Sequence, residues 1–329
     1  MLNPNVFLNP KLFDGNIEKV SLREGFSKGI IQAGEEDKRI IALCADLTKS
    51  LNLEAFKEKF PERFIEVGVA EQNLVTLASG LAAMGKIPFA CSLAIFSPGR
   101  NWEQIRTTIC LNNQPVKIVG SHAGLTTGPD GATHQALEDI ALMRVLPNMV
   151  VVSPVDVVQA CNATLAIAKL NKPCYLRLPR NEVPVITGKM TPFKIGRADV
   201  LWEGGDITIL ATGQMVYYAL QAARILDLDN ISARVINVHT IKPLDNKTIL
   251  SAAKETKAII TIEDHQVIGG LGSAVAELIC QNCPVPMKNM GVQDRFGQSG
   301  EADELLEKYG LSVREIMKAA FSLLKMKRN

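Results

Sequence analysis

Pro115-Val-Lys-Ile-Val-Gly120-Ser-His-Ala-Gly-Leu-Thr-Thr-Gly-Pro-Asp130-Gly-Ala-Thr-His-Gln135 contains the transition that decides the fold. Residues 115–119 form a short β-branched run that predicts a buried strand. The glycine-rich stretch that follows holds His122 and His134, two of the chain's four histidines, together with Asp130. A strand that opens into such a loop before the next helix predicts an α/β sheet, where ligands bind beyond the carboxyl ends of the strands. Glycines at 120, 124, 128 and 131 permit close backbone approach, and Pro129 stiffens the middle. A long loop inside a compact domain is more often functional than incidental.

The same alternation extends outward in both directions. Strands are predicted at 40–44, 64–67, 88–91, 116–119, 149–152 and 174–178, with helices at roughly 21–33, 52–59, 72–84, 101–112, 136–144 and 155–169. Pro184, Gly188, Pro192 and Gly196 punctuate a break in the pattern. Strands then resume at 207–211, 232–236, 258–262 and 285–289, with helices near 214–227, 245–253, 270–281 and 312–325. The expectation is two parallel-sheet α/β domains. An amino-terminal extension covers 1–17, the first domain 18–187, a linker 188–202 and a smaller second domain 203–329.

Composition narrows the possible partners. The 329 residues are 47% hydrophobic, enough for two cores, and the formal net charge is only +2. Mixed charges argue against a nucleic-acid partner or an acidic membrane surface. No segment reads as a membrane span or a targeting peptide, so a cytoplasmic protein is expected. Seven cysteines lie mostly in apolar runs and read as reduced core residues. Cys280 and Cys283 form a C-x-x-C at a helix end, but without further ligands nearby no metal site is expected. Gly269-Gly-Leu-Gly272 lacks the third glycine of a dinucleotide fingerprint, so close helix packing is the better reading.

A second constellation, Phe64-Ile-Glu-Val-Gly-Val-Ala-Glu-Gln-Asn73, runs from a strand through Gly68 into a helix beginning near Glu71. Taken alone, Glu71 is as well explained by a favourable contact with the helix dipole as by function. Its company raises the functional reading, because strand-end carboxylate, histidines and Phe96 can face one crevice. Glu66 is the nearest rival to Glu71, while His239 and His265 read as structural or peripheral.

The chain resembles the thiamine-diphosphate-dependent transketolase family. The resemblance rests on Cys44-Ala-Asp-Leu-Thr-Lys-Ser50, Gly68-Val-Ala-Glu-Gln-Asn73, Gly128-Pro-Asp-Gly-Ala-Thr-His-Gln135 and Leu178-Pro-Arg-Asn181. In the second half, Ile262-Glu-Asp-His265, the Gly269–Gly272 turn and Asp294-Arg-Phe-Gly297 add to it. It implies a pyrimidine-binding domain followed by a transketolase carboxyl-terminal domain. Glu71 is then the carboxyl group that hydrogen-bonds the aminopyrimidine and promotes loss of the cofactor's C2 proton. Phe96 and Trp102 are implied aromatic neighbours of the cofactor, and Ser50, His122 and Arg180 implied ligands of a sugar phosphate's terminal group. Asp130 is implied to read a substrate hydroxyl, and His134 to contact oxygens near the reacting carbon. The match weakens around Leu93, which replaces an expected aromatic, and at the lengthened Ser97-Pro98-Gly99 spacing.

The family's G-D-G motif, which grips Mg²⁺ and the diphosphate, is missing from this sequence. The resemblance therefore implies the carboxyl-terminal subunit of a split transketolase. A separate amino-terminal subunit would carry the diphosphate and magnesium site, and the pair would assemble as a heterotetramer. Two neighbouring enzyme readings are 1-deoxyxylulose-5-phosphate synthase and the β subunit of a 2-oxo acid dehydrogenase. The synthase ordinarily works as one long chain, and the dehydrogenase subunit would lack the His122, Asp130 and Arg180 set. A regulatory or scaffold subunit is a fourth reading, disfavoured because a scaffold has no physical need for a polar cluster at a crevice.

Overall fold

The computed structural model describes residues 1–328 and contains the expected α/β alternation in both halves. The first half runs β1 (Lys19–Ser21), α1 (Leu22–Glu36), β2 (Ile40–Cys44), α2 (Glu54–Lys59), β3 (Phe64–Glu66), α3 (Glu71–Ala83) and β4 (Ile87–Leu93). It continues with α4 (Trp102–Gln104), β5 (Lys117–Ser121), α5 (Asp139–Arg144), β6 (Val150–Val152), α6 (Val157–Ala168), β7 (Cys174–Arg177) and β8 (Glu182–Pro184). The second half comprises β9 (Asp199–Trp202), β10 (Ile207–Ala211), α7 (Met215–Leu228), β11 (Ala233–Asn237), β12 (Thr240–Lys242) and α8 (Asn246–Thr256). It ends with β13 (Ile259–Gln266), α9 (Leu271–Asn282), β14 (Met287–Val292), α10 (Ala302–Lys308) and α11 (Val313–Arg328).

The larger sheet has the order β12-β6-β7-β5-β4-β2-β3 and is parallel except for β12. Its central strands are buried along their whole length, as helices on both faces require. On one face α1 and α6 meet at backbone distance: a Cβ on Gly25 would lie 2.1 Å from the Val157 carbonyl oxygen. The other face is closed by Leu74, Val75, Ile105, Ile109 and Met143. The smaller sheet, β14-β13-β10-β11-β9, is parallel apart from β9. Among the described residues no helix is long and apolar enough to cross a membrane.

Four features depart from the sequence reading. The helix expected over 101–112 is α-helical only through α4, then opens into a π-helix at Ile105–Cys110. Thr107 and Thr108 bond back to the Glu103 and Gln104 carbonyls in this stretch, a competition that loosens a regular α-helical ladder. Residues 199–202, within the span expected as linker, are already β9 of the second sheet. The strand β12 belongs to the second half but pairs with β6 at the edge of the first sheet. Residues 1–17 are anchored as well, with Leu12 buried in the second core and Phe13 set edge-on to Trp202.

Gly269-Gly-Leu-Gly272 packs closely, as the sequence suggested. Glu263, fully buried on β13, accepts hydrogen bonds from the Leu271 and Gly272 amides at 2.7 and 2.8 Å. Burial pushes its carboxyl up to about 7, against the pull of those two donors at the start of α9. A Cβ on Gly270 would lie 2.0 Å from Glu263 Oε2. Gly270→Ala should therefore lower stability by about 1–3 kcal/mol, read as a reduced urea midpoint. An unchanged midpoint would show that α9 can shift away from Glu263 at no cost.

Candidate active site

Ser50, Glu71, Phe96, His122 and Arg180 lie in segments that follow the carboxyl ends of β2, β3, β4, β5 and β7 respectively. These five strands run parallel within one sheet, so the sheet delivers the segments to a common edge.

His122 directly follows β5 with a left-handed φ of +56°. Its ring Nδ1 lies 2.9 Å from Ser121 Oγ, and its carbonyl accepts from Thr127 Oγ1 at 2.6 Å. Arg180 donates to the Thr127 carbonyl at 2.8 Å and approaches Asp130 at 3.8 Å. Between these loops sits Arg23, a residue the sequence reading did not select. It donates to Ser21 Oγ at 3.0 Å, to the Ser50 carbonyl at 2.8 Å and to the Arg180 carbonyl at 3.0 Å. Arg23 thus draws the segments after β2 and β7 together beside His122. Its place two residues after the helix-capping Ser21 was the only local signal available.

Burial, then the charges of Arg23 and Arg180, push the His122 imidazole down to about 4. The ring is therefore neutral near pH 7 and offers one donor and one acceptor. Burial and the Arg180 charge likewise depress Arg23. A tetrahedral oxyanion between them would relieve this repulsion and accept the planar arginine forks.

The second part of the site lies around α3. Glu71 stands at the first position of α3 and is only 4% exposed. Arg100 Nη1 lies 3.1 Å from each of its carboxylate oxygens. The same guanidinium covers the Phe96 ring, 4.1 Å from the centroid. Phe96 in turn meets the His134 ring edge-on at 5.5 Å. Asn101, fully buried, ties this turn to α3 by donating to the Glu71 carbonyl at 2.8 Å and to Ser97 Oγ at 3.1 Å. Trp102 is held by different contacts: its indole N–H donates to the Leu142 carbonyl at 2.7 Å, and its ring packs on the core beneath α3. A planar, nitrogen-bearing group thus already fits between Glu71 and Phe96, which is the chemical character of an aminopyrimidine.

The other candidates hold structure together. Glu66 accepts from the Asp46 and Gly68 amides and from Thr48 Oγ1, which orders the turn after β2. His239 is buried against Phe193 with Nδ1 on Thr240 Oγ1, and burial pushes it down to about 4. His265, also buried and pushed down to about 4, lies with Nδ1 at 2.7 Å from the Gln266 carbonyl. Cys280 and Cys283 are unpaired thiols, as are the five remaining cysteines.

The family model for the transketolase pyrimidine-binding domain matches residues 18–185, and that for the transketolase carboxyl-terminal domain matches 196–316. The chain belongs to the transketolase family. Its domain pair is that of a split transketolase's carboxyl-terminal part, and two relatives share this layout over almost their full length. A putative transketolase carboxyl-terminal section from Methanocaldococcus jannaschii is 43% identical over 92% of this chain and 96% of its own. A 6-deoxy-6-sulfo-D-fructose transketolase subunit from Clostridium sp. is 43% identical over 96% of this chain and 98% of its own. A solved split-gene transketolase, described as an inactive β4 tetramer, superposes with a TM-score of 0.88 at 44% identity, over 93% of this chain and 99% of that one.

The His122 environment gives a direct test. Nuclear magnetic resonance of the ring should show a neutral imidazole across roughly pH 5–8, with its inflection near 4. Inorganic phosphate should move that inflection upward, because an adjacent anion favours the protonated form. An inflection at the ordinary value of about 6.5 without phosphate would contradict the buried, doubly cationic setting.

Proposed function

We propose that this chain supplies the pyrimidine half of a two-component transketolase that moves a two-carbon ketol unit between sugar phosphates. The observation that supports this most directly is the shared sheet edge, where Glu71 and Phe96 stand alongside an anion-binding group of Arg23, Arg180 and His122. When bound, thiamine diphosphate supplies a nucleophilic carbon and an electron sink. Glu71 would hydrogen-bond the aminopyrimidine ring and fix its protonation state, and Phe96 would give it an apolar contact. Arg23 and Arg180 would hold the terminal phosphate of the sugar by charge-assisted bonds, with neutral His122 adding one more. Asp130 and His134, on the same loop, would orient hydroxyl and carbonyl oxygens toward the reacting end.

Residues for gripping a diphosphate and Mg²⁺ are assigned to an amino-terminal partner subunit. The cofactor would then lie between unlike chains, and we propose a symmetric heterotetramer with two copies of each. The related split-gene structure, an inactive tetramer of β chains, is consistent with a chain that self-associates yet lacks half a site. The sulfonated fructose named for the Clostridium relative carries a tetrahedral anion of similar shape. The substrate panel should accordingly include phosphorylated, sulfonated and unmodified ketoses.

The purified chain alone should show no ketol transfer, and mixing with the amino-terminal subunit, Mg²⁺ and thiamine diphosphate should restore it. In the mixture Glu71→Ala should reduce turnover by roughly 10²–10⁴-fold at saturating cofactor while assembly persists by light scattering. Activity of the chain without a second polypeptide would overturn the split arrangement. Near-normal turnover of Glu71→Ala would return Glu71 to the status of a helix-start carboxylate.

A further inference from the structure

The Arg100 side chain touches both groups assigned to the aminopyrimidine. Its guanidinium engages both oxygens of Glu71 at 3.1 Å and lies 4.1 Å from the centre of the Phe96 ring. A guanidinium is planar, carries several N–H donors and stacks on aromatic faces, so it presents the same two recognition elements as an aminopyrimidine. We infer that Arg100 gates the cofactor site by competing with the aminopyrimidine for Glu71 and Phe96, so that productive binding requires its side chain to swing away. This rests on the reading that Glu71 and Phe96 hold that ring.

Three observations support a swinging gate over a fixed strut. The Arg100 side chain is 50% exposed, whereas Glu71 is 5%, so the arginine can leave for water while the carboxylate stays in place. The Arg100 main chain is held independently of its side chain: its amide donates to the Phe96 carbonyl at 2.8 Å, and the next residue, Asn101, is bonded to Glu71's carbonyl. The turn is also tightly wound on itself, since a Cβ on Gly99 would lie 1.9 Å from the Ile95 carbonyl oxygen. Motion therefore falls to the side-chain torsions of Arg100. Chemistry requires the exchange too. An ion-paired carboxylate only accepts hydrogen bonds, whereas an acceptor nitrogen of the ring needs the carboxyl group to donate one.

The gate predicts that removing the guanidinium raises cofactor affinity. A half-exposed ion pair and a cation–π contact together favour the closed arrangement by roughly 3- to 30-fold, and that factor is subtracted from apparent affinity. Arg100→Ala and Arg100→Met in the assembled two-subunit protein should each bind thiamine diphosphate, with Mg²⁺, about 3- to 30-fold more tightly by titration calorimetry. Stopped-flow mixing should show faster association. Added to Arg100→Ala, Glu71→Ala should weaken binding, and in a Glu71→Ala background the Arg100 substitutions should lose most of their effect, because the arginine has lost its anchor. If adding Glu71→Ala to Arg100→Ala leaves the cofactor affinity of Arg100→Ala unchanged, the reading of Glu71 as a ring partner fails. If Glu71→Ala weakens binding while both Arg100 variants bind no more tightly than the parent, that reading stands and the gate is overturned.

Discussion

The buried carboxylate of Asp264 is the constraint on which the candidate site depends. It belongs to β13 in the second domain, yet its Oδ1 accepts from the Leu125 amide in the first-domain loop at 2.9 Å. Gln214, at the start of α7, donates to Oδ2 at 2.9 Å and to Thr126 Oγ1 at 2.9 Å. Arg177, at the end of β7, donates to the Asp264 carbonyl and to Asp139, each at 2.8 Å. Burial raises the Asp264 carboxyl above its ordinary range, while the Arg177 charge and the Leu125 amide act in the opposite direction. A charge in such a place persists only when its partners are held in position, which couples the two domains through the loop they share.

That coupling explains the glycines of the loop. Gly124 has φ +86°, and a Cβ there would lie 2.0 Å from Asp264 Oδ2, so only glycine admits the carboxylate. Further along, Gln135 donates to the carbonyls of Leu125, Gly128 and Gln298, stitching the loop to itself and to the segment before α10. The second domain therefore helps build the loop of the candidate substrate site even though none of the candidate ligands belongs to it. By contrast, Glu71 and the turn that carries Phe96 are tied together within the first domain through Asn101. The candidate site thus has a proposed cofactor side built locally and a proposed substrate side built jointly.

The strands were legible because runs such as Ile40–Cys44 and Cys174–Arg177 are buried at every position and leave an unambiguous apolar signature. Candidate residues at strand ends were legible for a related reason, since topology places whatever follows a parallel strand at the ligand-binding edge. Arg23 and Asp264 were not, because their meaning lies in partners distant along the chain, and Arg100 was not, because its ion-pair partner Glu71 stands on another element, at the start of α3. Asp264 is 139 residues from Leu125, and Arg23 is 157 from Arg180. Arg23 forms no motif with its neighbours, and the Ile262-Glu-Asp-His265 segment that contains Asp264 carries no sign of the contact with Leu125. The strand β12 escaped for the same reason: three residues acquire strand character only by pairing with β6 of the other domain. The π-helix after α4 reflects back-bonding threonines, a local competition that apolar periodicity does not register.

The most direct measurement of this account is amide hydrogen exchange at Leu125 in the parent chain and in Asp264→Ala. The joint construction predicts slow exchange at Leu125 in the parent. In the variant that amide should exchange rapidly while the β5 amides of Ile118 and Val119 remain protected. Continued protection of Leu125 without the Asp264 carboxylate would show that the loop is held by the first domain alone, and would contradict the central role given to the contact between the domains.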